Sequence, residues 1–123
     1  MRDHRRLQVF ALADSLTLGV YEATKRFPDD ERYGLTSQMR RAAVSVGANI
    51  VEGAARSSEA DFLRLLSIAY SSACELEYEI SLAMRLGYLC SAQYTPLERG
   101  ASRTCRALRG LIGSIRKNQC RPG

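Results

Sequence analysis

The chain has 123 residues, of which 46% are hydrophobic and 25% charged, and it carries a formal net charge of +5. We expect residues 1–123 to form one domain, because a chain of this length buries roughly two thirds of its unfolded surface on folding. The sequence lacks both a run of 18 apolar residues and the apolar stretch of a secretory signal near its start, so we expect a cytoplasmic protein without a membrane partner.

Four segments of helical periodicity are separated by short connections. None of them alternates with the period of two that a half-buried strand shows. The pattern predicts an all-α fold, specifically an antiparallel up-down four-helix bundle. We expect its helices over about 5–26, 36–57, 59–86 and 96–117, followed by a short basic tail, 118–123.

The second predicted helix consists largely of small residues, and Thr36 or Ser37 is its expected N-cap. Its apolar and small residues share one face: Met39, Ala42, Ala43, Val46, Ile50, Gly53 and Ala54. Glycine costs roughly 1 kcal/mol relative to alanine inside a helix. Gly47 and Gly53 therefore indicate that another backbone or a nucleic-acid strand comes near, tight helix packing being the commoner reason.

Local signals mark where the third and fourth helices begin. Ser58 followed by Asp61 resembles a capping box, and Gly87 supplies a left-handed stop for the third helix. Thr95, Pro96 and Glu98 provide an N-cap, a proline at the first helical position and a capping-box acid. These residues predict that the fourth helix begins at Pro96.

The first and third helices carry more apolar surface than one small bundle covers. The first has a second apolar stripe that includes Leu18 and Tyr21. The third has further apolar residues on both flanks of its core stripe: Leu63, Tyr70 and Cys74 on one, and Ile68, Leu82 and Leu86 on the other. Large exposed apolar patches are unusual on soluble monomers. We therefore expect a ring-like homo-oligomer, whose number of subunits the periodicity does not give.

One stretch of the chain carries a family resemblance. Residues 38–56, QMRRAAVSVGANIVEGAAR, with DFLRLLSIAYSSACEL over 61–76, resemble the four-helix-bundle protein encoded within intervening sequences of bacterial 23S ribosomal RNA genes, sometimes labelled a ribosomal protein. The resemblance covers about residues 7–89. More distantly the family is similar to the accessory variability determinant of diversity-generating retroelements, a basic pentamer that helps a reverse transcriptase. The resemblance thus implies a homopentamer, while function has to be argued from the site.

Positive charge is concentrated near the end of the chain. Residues 1–98 hold 11 basic and 13 acidic residues, whereas 99–123 hold seven basic residues and no acidic one. Six of the basic residues share one side of the fourth helix, opposite its apolar side: Arg99, Arg103, Arg106, Arg109, Arg116 and Lys117. Such a face is a solvated surface, a phosphate-binding face, or a contact for membranes or acidic proteins. Its repetition in an oligomer favours nucleic acid.

No motif for sequence-specific reading of nucleic acid is present, and the chain has no Trp. We therefore expect recognition of shape and backbone. Tyr33, Tyr88 and Tyr94 lie in predicted loops, where they either stack on unpaired bases or cover an edge of the core.

Catalytic signatures are also missing from the sequence. The chain has one histidine, His4, whereas di-iron bundles need Glu-x-x-His pairs on facing helices. It has no P-loop, GxSxG or dinucleotide fingerprint, and its four cysteines form no CxxC pair. We therefore expect no catalytic residue, no metal site and no cofactor.

A second polar set lies on the second and third helices and matches polar positions of the family motif: Arg40, Arg41, Asn49, Glu52, Glu75 and Glu77. A half-buried charge is costly unless it is paired. We therefore expect a structural network in which either arginine contacts Glu75 or Glu77, within the bundle or between protomers, with Glu77 nearest the apolar stripe.

These patterns lead to one hypothesis and one alternative. The hypothesis is a non-enzymatic, oligomeric four-helix-bundle protein whose basic fourth helix binds structured RNA, such as the ribosomal RNA insertion that encodes proteins of this kind. The alternative is a protein-binding adaptor, for example one accessory to a reverse transcriptase.

Overall fold

The computed structural model describes residues 2–4 and 7–120. This part of the chain is all-α, with four α-helices, a 3₁₀ turn over Asp29–Glu31 and no strand. The helices are α1 (Gln8–Thr24), α2 (Leu35–Ala55), α3 (Glu59–Arg85) and α4 (Ser91–Gln119). Positions 5 and 6 of the predicted first helix and positions 121–123 of the predicted tail lie outside the described residues.

Each helix packs against two others. Both α1 and α3 contact α2 on one side and α4 on the other, an arrangement consistent with a four-helix bundle. All four helices contribute to two core clusters, one around Leu16, Met39 and Leu76 and the other around Val46, Leu66 and Leu108. Burying each of these larger side chains stabilises the fold by about 1.5–3 kcal/mol.

The small face of α2 lies in the core as predicted, since all seven of its residues are buried. A Cβ atom at Gly53 would lie 3.1 Å from Phe62 Cδ1 and 3.3 Å from Leu65 Cβ, so α3 comes close there. At Gly47, by contrast, a Cβ atom would meet nothing within 4 Å in the described chain. The close approach expected of both glycines is therefore found at Gly53 alone.

The predicted N-cap of α2 is wrong. The helix begins at Leu35, with Gly34 at the cap position, and Thr36 lies inside it as a buried residue. The Leu35 N–H donates to Glu31 Oε1 at 3.1 Å. A carboxylate from the preceding 3₁₀ turn therefore satisfies a free N–H group that a Ser or Thr cap usually takes. The Ser58 cap of α3 is confirmed, since the Asp61 N–H donates to Ser58 Oγ at 3.0 Å.

The start of α4 also differs from the prediction. The helix begins at Ser91, and its cap residue Cys90 donates its N–H to Gln93 Oε1 at 3.1 Å. Burial explains the difference, because Leu89 is buried and Tyr94 packs partly buried against the same core cluster. Winding the segment before Pro96 into helix covers this end of the core, so packing overrides the local signal at Pro96.

We expect Pro96→Ala to stabilise the protein by about 1–2 kcal/mol. Alanine restores an N–H that can donate to the carbonyl of Ala92, and it removes the proline ring that crowds this carbonyl. Part of the gain is lost, because alanine increases the conformational entropy of the unfolded chain. Urea denaturation measures the change, with Pro28→Ala before the 3₁₀ turn as the control. An unchanged or lower stability of Pro96→Ala would indicate that the helix begins at Pro96 after all.

Candidate nucleic-acid interface

The six basic residues predicted on α4 are all exposed to solvent: Arg99, Arg103, Arg106, Arg109, Arg116 and Lys117. We call this surface the α4 cationic face. On the opposite side of the helix Leu97, Leu108 and Ile112 are buried. The amphipathic pattern of α4 therefore has the orientation that the sequence predicts.

The α4 cationic face is not neutralised by the protein itself. Ion pairs within 4 Å in the described part of the chain join Lys25 to Glu22 at 3.0 Å and Arg64 to Asp61 at 3.8 Å, and both lie on other helices. Beyond Glu98 the chain contains no acidic residue. The guanidinium groups of the α4 cationic face are therefore free to bind external anions. Arginine can bind two phosphate oxygens at once.

The predicted Arg40 contact with α3 does not form within the protomer. Arg40 faces α1 instead, where its Nε donates to Thr24 Oγ1 at 2.8 Å and its guanidinium carbon lies 4.8 Å from the centroid of the Tyr21 ring. Glu77 lies toward α4, close enough that its charge helps to raise the pKa of the Cys105 thiol, after the larger effects of burial and Cys74. Arg40 and Glu77 thus belong to different sides of the bundle.

Serine and asparagine make the polar contact that joins α2 to α3. The hydroxyl oxygens of Ser45 and Ser72 lie 2.8 Å apart and share a hydrogen bond. Asn49 Nδ2 donates to the Ser45 carbonyl at 2.8 Å, while Glu52 is exposed. The sequence gives only a weak signal for this contact. It consists of one serine beside the small face of α2 and one beside the core stripe of α3.

Arg41 and Glu75 come near each other without pairing. Both line a hollow of about 290 Å³ between α2 and α3. No nitrogen of Arg41 lies within 4 Å of a Glu75 oxygen among the described ion pairs. Within the protomer the predicted network is therefore reduced to Asn49 and its serine partner, and a contact between protomers remains a proposal.

The most perturbed carboxyl group is Glu79, which the sequence does not single out. It is 3% exposed, and its Oε1 has no hydrogen-bond partner in the described chain. Burial, followed by repulsion from the neighbouring Glu75 and a hydrogen bond with it, raises the pKa of Glu79 to about 7. The uncharged form is favoured because burying a carboxylate without a partner is costly.

The three predicted loop tyrosines have different surroundings. Tyr88 donates its hydroxyl to Glu31 Oε2 at 2.9 Å, and its ring tilts against Phe27 with centroids 5.4 Å apart. Tyr94 lies within α4 and packs against the core. Tyr33 is 87% exposed. Two of them therefore cover an edge of the core, and Tyr33 alone has a largely exposed ring.

Two further classes of site are not found in the described residues. None of the four helices is both long and apolar enough to cross a bilayer. No group of three or more His, Cys, Asp or Glu side chains is placed to hold a metal ion in that part of the chain.

Comparison with known proteins identifies a family whose sequence model matches this chain. The sequence model described as "23S rRNA-intervening sequence protein" matches residues 5–110. The chain is also similar to the crystal structure of a protein of unknown function from the S23 ribosomal protein family of Bacteroides thetaiotaomicron. The two are 26% identical with a TM-score of 0.78, over 85% of this chain and 95% of that one. The curated proteins include no match. The family match takes in Arg99 to Arg109 and ends before Arg116.

We expect Glu79→Gln to remove a pH dependence of stability. The pKa of Glu79 rises from an ordinary value of 4.5 to about 7 in the folded protein. The folded state therefore binds the proton more tightly, and the native protein loses about 1.4 kcal/mol of stability per pH unit between these two values. Glutamine is uncharged, so the variant should gain stability over the native protein as the pH rises from 5 to 7.

Urea denaturation at pH 5, 6, 7 and 8 measures this difference, and the exposed Glu52→Gln serves as the control. A stability difference between Glu79→Gln and the native protein that stays constant across this range would contradict the buried, protonated state of Glu79.

Proposed function

Because this chain belongs to the 23S rRNA-intervening sequence protein family, we propose that it is a non-enzymatic cytoplasmic protein that binds structured RNA through the α4 cationic face. The observation that carries this proposal is a row of exposed cations on α4 with no carboxylate partner in the described chain. Nearby like charges three and four residues apart repel one another along a helix. Phosphates that bind between them relieve this repulsion and release counterions.

The shape of the α4 cationic face suits a nucleic-acid backbone. At a rise of 1.5 Å per residue, the distance from Arg99 to Lys117 along the helix is about 27 Å. Basic side chains spread along one side of a helix of this length can follow successive phosphates, and they offer no loop or pocket that reads base edges. We therefore propose recognition of shape and backbone, as in proteins that bind double-stranded RNA mainly through phosphates and 2′-hydroxyls.

An antiparallel up-down order of the helices is part of the proposal. Two contacts support it for α2 and α3. Ser45 lies beside Ser72, and Gly53 lies beside Phe62, so residue numbers increase along α2 in the direction in which they decrease along α3. The contact of Gly19 with Leu97 and of Gly100 with Leu16 follows the same rule for α1 and α4.

We also propose a ring-like homo-oligomer, for which the family resemblance suggests five subunits. Leu18, Ile68 and Leu86 remain exposed in the protomer, which supports burial against another copy. The exposed apolar surface of the protomer is smaller than the sequence predicts, because Leu63, Tyr70 and Leu82 pack partly buried within the same chain. A closed ring would repeat the α4 cationic face in every subunit and so increase its affinity for polyanions.

We expect an Arg103→Ala/Arg106→Ala/Arg109→Ala variant to bind an RNA hairpin more weakly and with a flatter salt dependence. Each phosphate contact contributes about 0.7–0.9 to the slope of log affinity against log salt, so losing three contacts lowers the slope by about 2–3. Fluorescence anisotropy from about 50 to 300 mM salt measures it. Duplex DNA of the same length tests whether RNA is preferred.

The matched control removes three exposed arginines that lie outside α4: Arg56, Arg64 and Arg85. Equal slopes for the two triple variants would show that net charge, and not the α4 cationic face, drives binding. Absence of hairpin binding at about 50 mM salt would overturn the RNA proposal and direct the search toward a protein partner.

We expect light scattering to give a mass several times that of the 13.7-kDa chain, and about 69 kDa for five copies. Leu18→Asp should shift the protein toward the monomer without unfolding it, because Leu18 is 67% exposed within the protomer. A native protein that stays at the mass of one chain at all concentrations would contradict the ring.

A further inference from the structure

A second cationic surface lies on the other side of α1 from α4. It is a groove of about 680 Å³ formed by α1, the connection after the 3₁₀ turn and the first half of α2. Its charged residues are Arg32, Arg40 and Arg41, and no acidic residue lines it. Tyr21 and Tyr33 provide its aromatic surface. No residue of α4 lines this α1–α2 groove.

The three arginines have no carboxylate partner within 4 Å in the described chain. Three carboxylates lie near without pairing. Glu31 accepts the Leu35 N–H at 3.1 Å and the Tyr88 hydroxyl at 2.9 Å, Glu75 shares the hollow between α2 and α3 with Arg41, and Asp29 lines a separate hollow with Arg32 and Arg40. The groove is thus lined by three arginines and no acidic residue, and none of the three is held in an ion pair within the described chain. It also lies where α2 begins, and the positive end of a helix dipole favours anions.

Arg40 is held in place before any ligand arrives. Its Nε donates to Thr24 Oγ1 at 2.8 Å, and Thr24 in turn donates its hydroxyl to the Val20 carbonyl at 2.8 Å. Its guanidinium group stacks on the Tyr21 ring at 4.8 Å. The Nη1 amino group makes no hydrogen bond within the described chain. A fixed guanidinium loses little side-chain entropy on binding, so it binds an anion more tightly than a mobile one.

Tyr33 adds a surface for an aromatic group. Its ring is 87% exposed, the largest exposure among the large hydrophobic side chains of the described residues. The guanidinium carbon of Arg32 lies 5.6 Å from its centroid. A nucleobase stacked on this ring would cover apolar surface that the protein leaves in water, and a phosphate beside it would meet the arginines.

We propose that the α1–α2 groove binds an unpaired nucleotide, with the phosphate held by Arg32, Arg40 and Arg41 and the base stacked on Tyr33. This site is distinct from the α4 cationic face and does not depend on it. A nucleotide within a single strand and a free nucleotide offer the same phosphate and base, so the experiment separates these two sources.

The probe is a fluorescein-labelled oligouridylate of about eight nucleotides, which forms no stable duplex, at about 100 mM salt. We expect Tyr33→Ala/Arg32→Ala to lower its affinity at least about fivefold, because stacking of one base alone accounts for about a fivefold effect or more. The matched control is Tyr78→Ala/Arg85→Ala. Tyr78 is 61% exposed, with the Arg85 guanidinium 5.9 Å from its ring centroid, and it does not line the α1–α2 groove. The control should bind as the native protein does.

Two additional ligands complete the test. An abasic oligomer of the same length and charge should bind the native protein more weakly than oligouridylate does, because it cannot stack on Tyr33. It should still bind more tightly than oligouridylate binds the Tyr33→Ala/Arg32→Ala variant, which also lacks the Arg32 contact with phosphate. If free uridine monophosphate competes with the oligomer and this competition requires Tyr33, a free nucleotide is a ligand of the groove. If the loss of Tyr33 weakens binding of the oligomer alone, the ligand is a single strand. Both results support the site.

Equal affinity of the Tyr33→Ala/Arg32→Ala variant and its control, or equal affinity for the abasic and intact oligomers, would overturn the proposal. Both tyrosines are largely exposed, so thermal unfolding should be unchanged in each variant. The Arg103/Arg106/Arg109 variant should keep the full Tyr33 effect, which distinguishes failure of the groove from failure of the α4 cationic face.

Discussion

Burial of the apolar side of α4 against α1 and α3 is the constraint on which the charged surface depends. Leu97, Leu108 and Ile112 each contribute about 1.5–3 kcal/mol by leaving water. Repulsion between neighbouring arginines on the other side costs only about 0.2–0.5 kcal/mol per pair. The core therefore fixes the orientation of α4, and the arginines remain outside, where their repulsion is relieved by binding an anion.

The two cationic surfaces differ in what they are suited to bind. The α4 cationic face is long and without an aromatic ring, which suits the phosphates of a helical RNA segment. The α1–α2 groove is short and concave, with Tyr33 beside three arginines, which suits one unpaired nucleotide. Because α1 packs between α2 and α4, the two surfaces lie on either side of α1. A structured RNA offers both kinds of segment, a stem and a loop.

Periodicity predicted what depends on the regular geometry of a helix. The four helices, the buried small face of α2 and the exposed arginines of α4 all follow from residue spacing of about 100°. Some predictions that depend on contacts between elements differ from the structure. Pro96 has a strong local start signal that burial of Tyr94 overrides. A helical wheel does not show which flank of α3 is covered, so it favoured Glu77 where Glu79 is the buried carboxyl group. Three tyrosines in predicted loops looked alike, and only Tyr33 is largely exposed.

The most direct test of RNA binding through α4 is photo-crosslinking of the native protein to an RNA hairpin that carries photoreactive uridines, followed by mass spectrometry of the peptides. We expect crosslinks in the stem to map to residues 99–117, on the α4 cationic face. Crosslinks from the stem that map instead to α2 and α3, with none on α4, would contradict the assignment of that face as the RNA-binding surface.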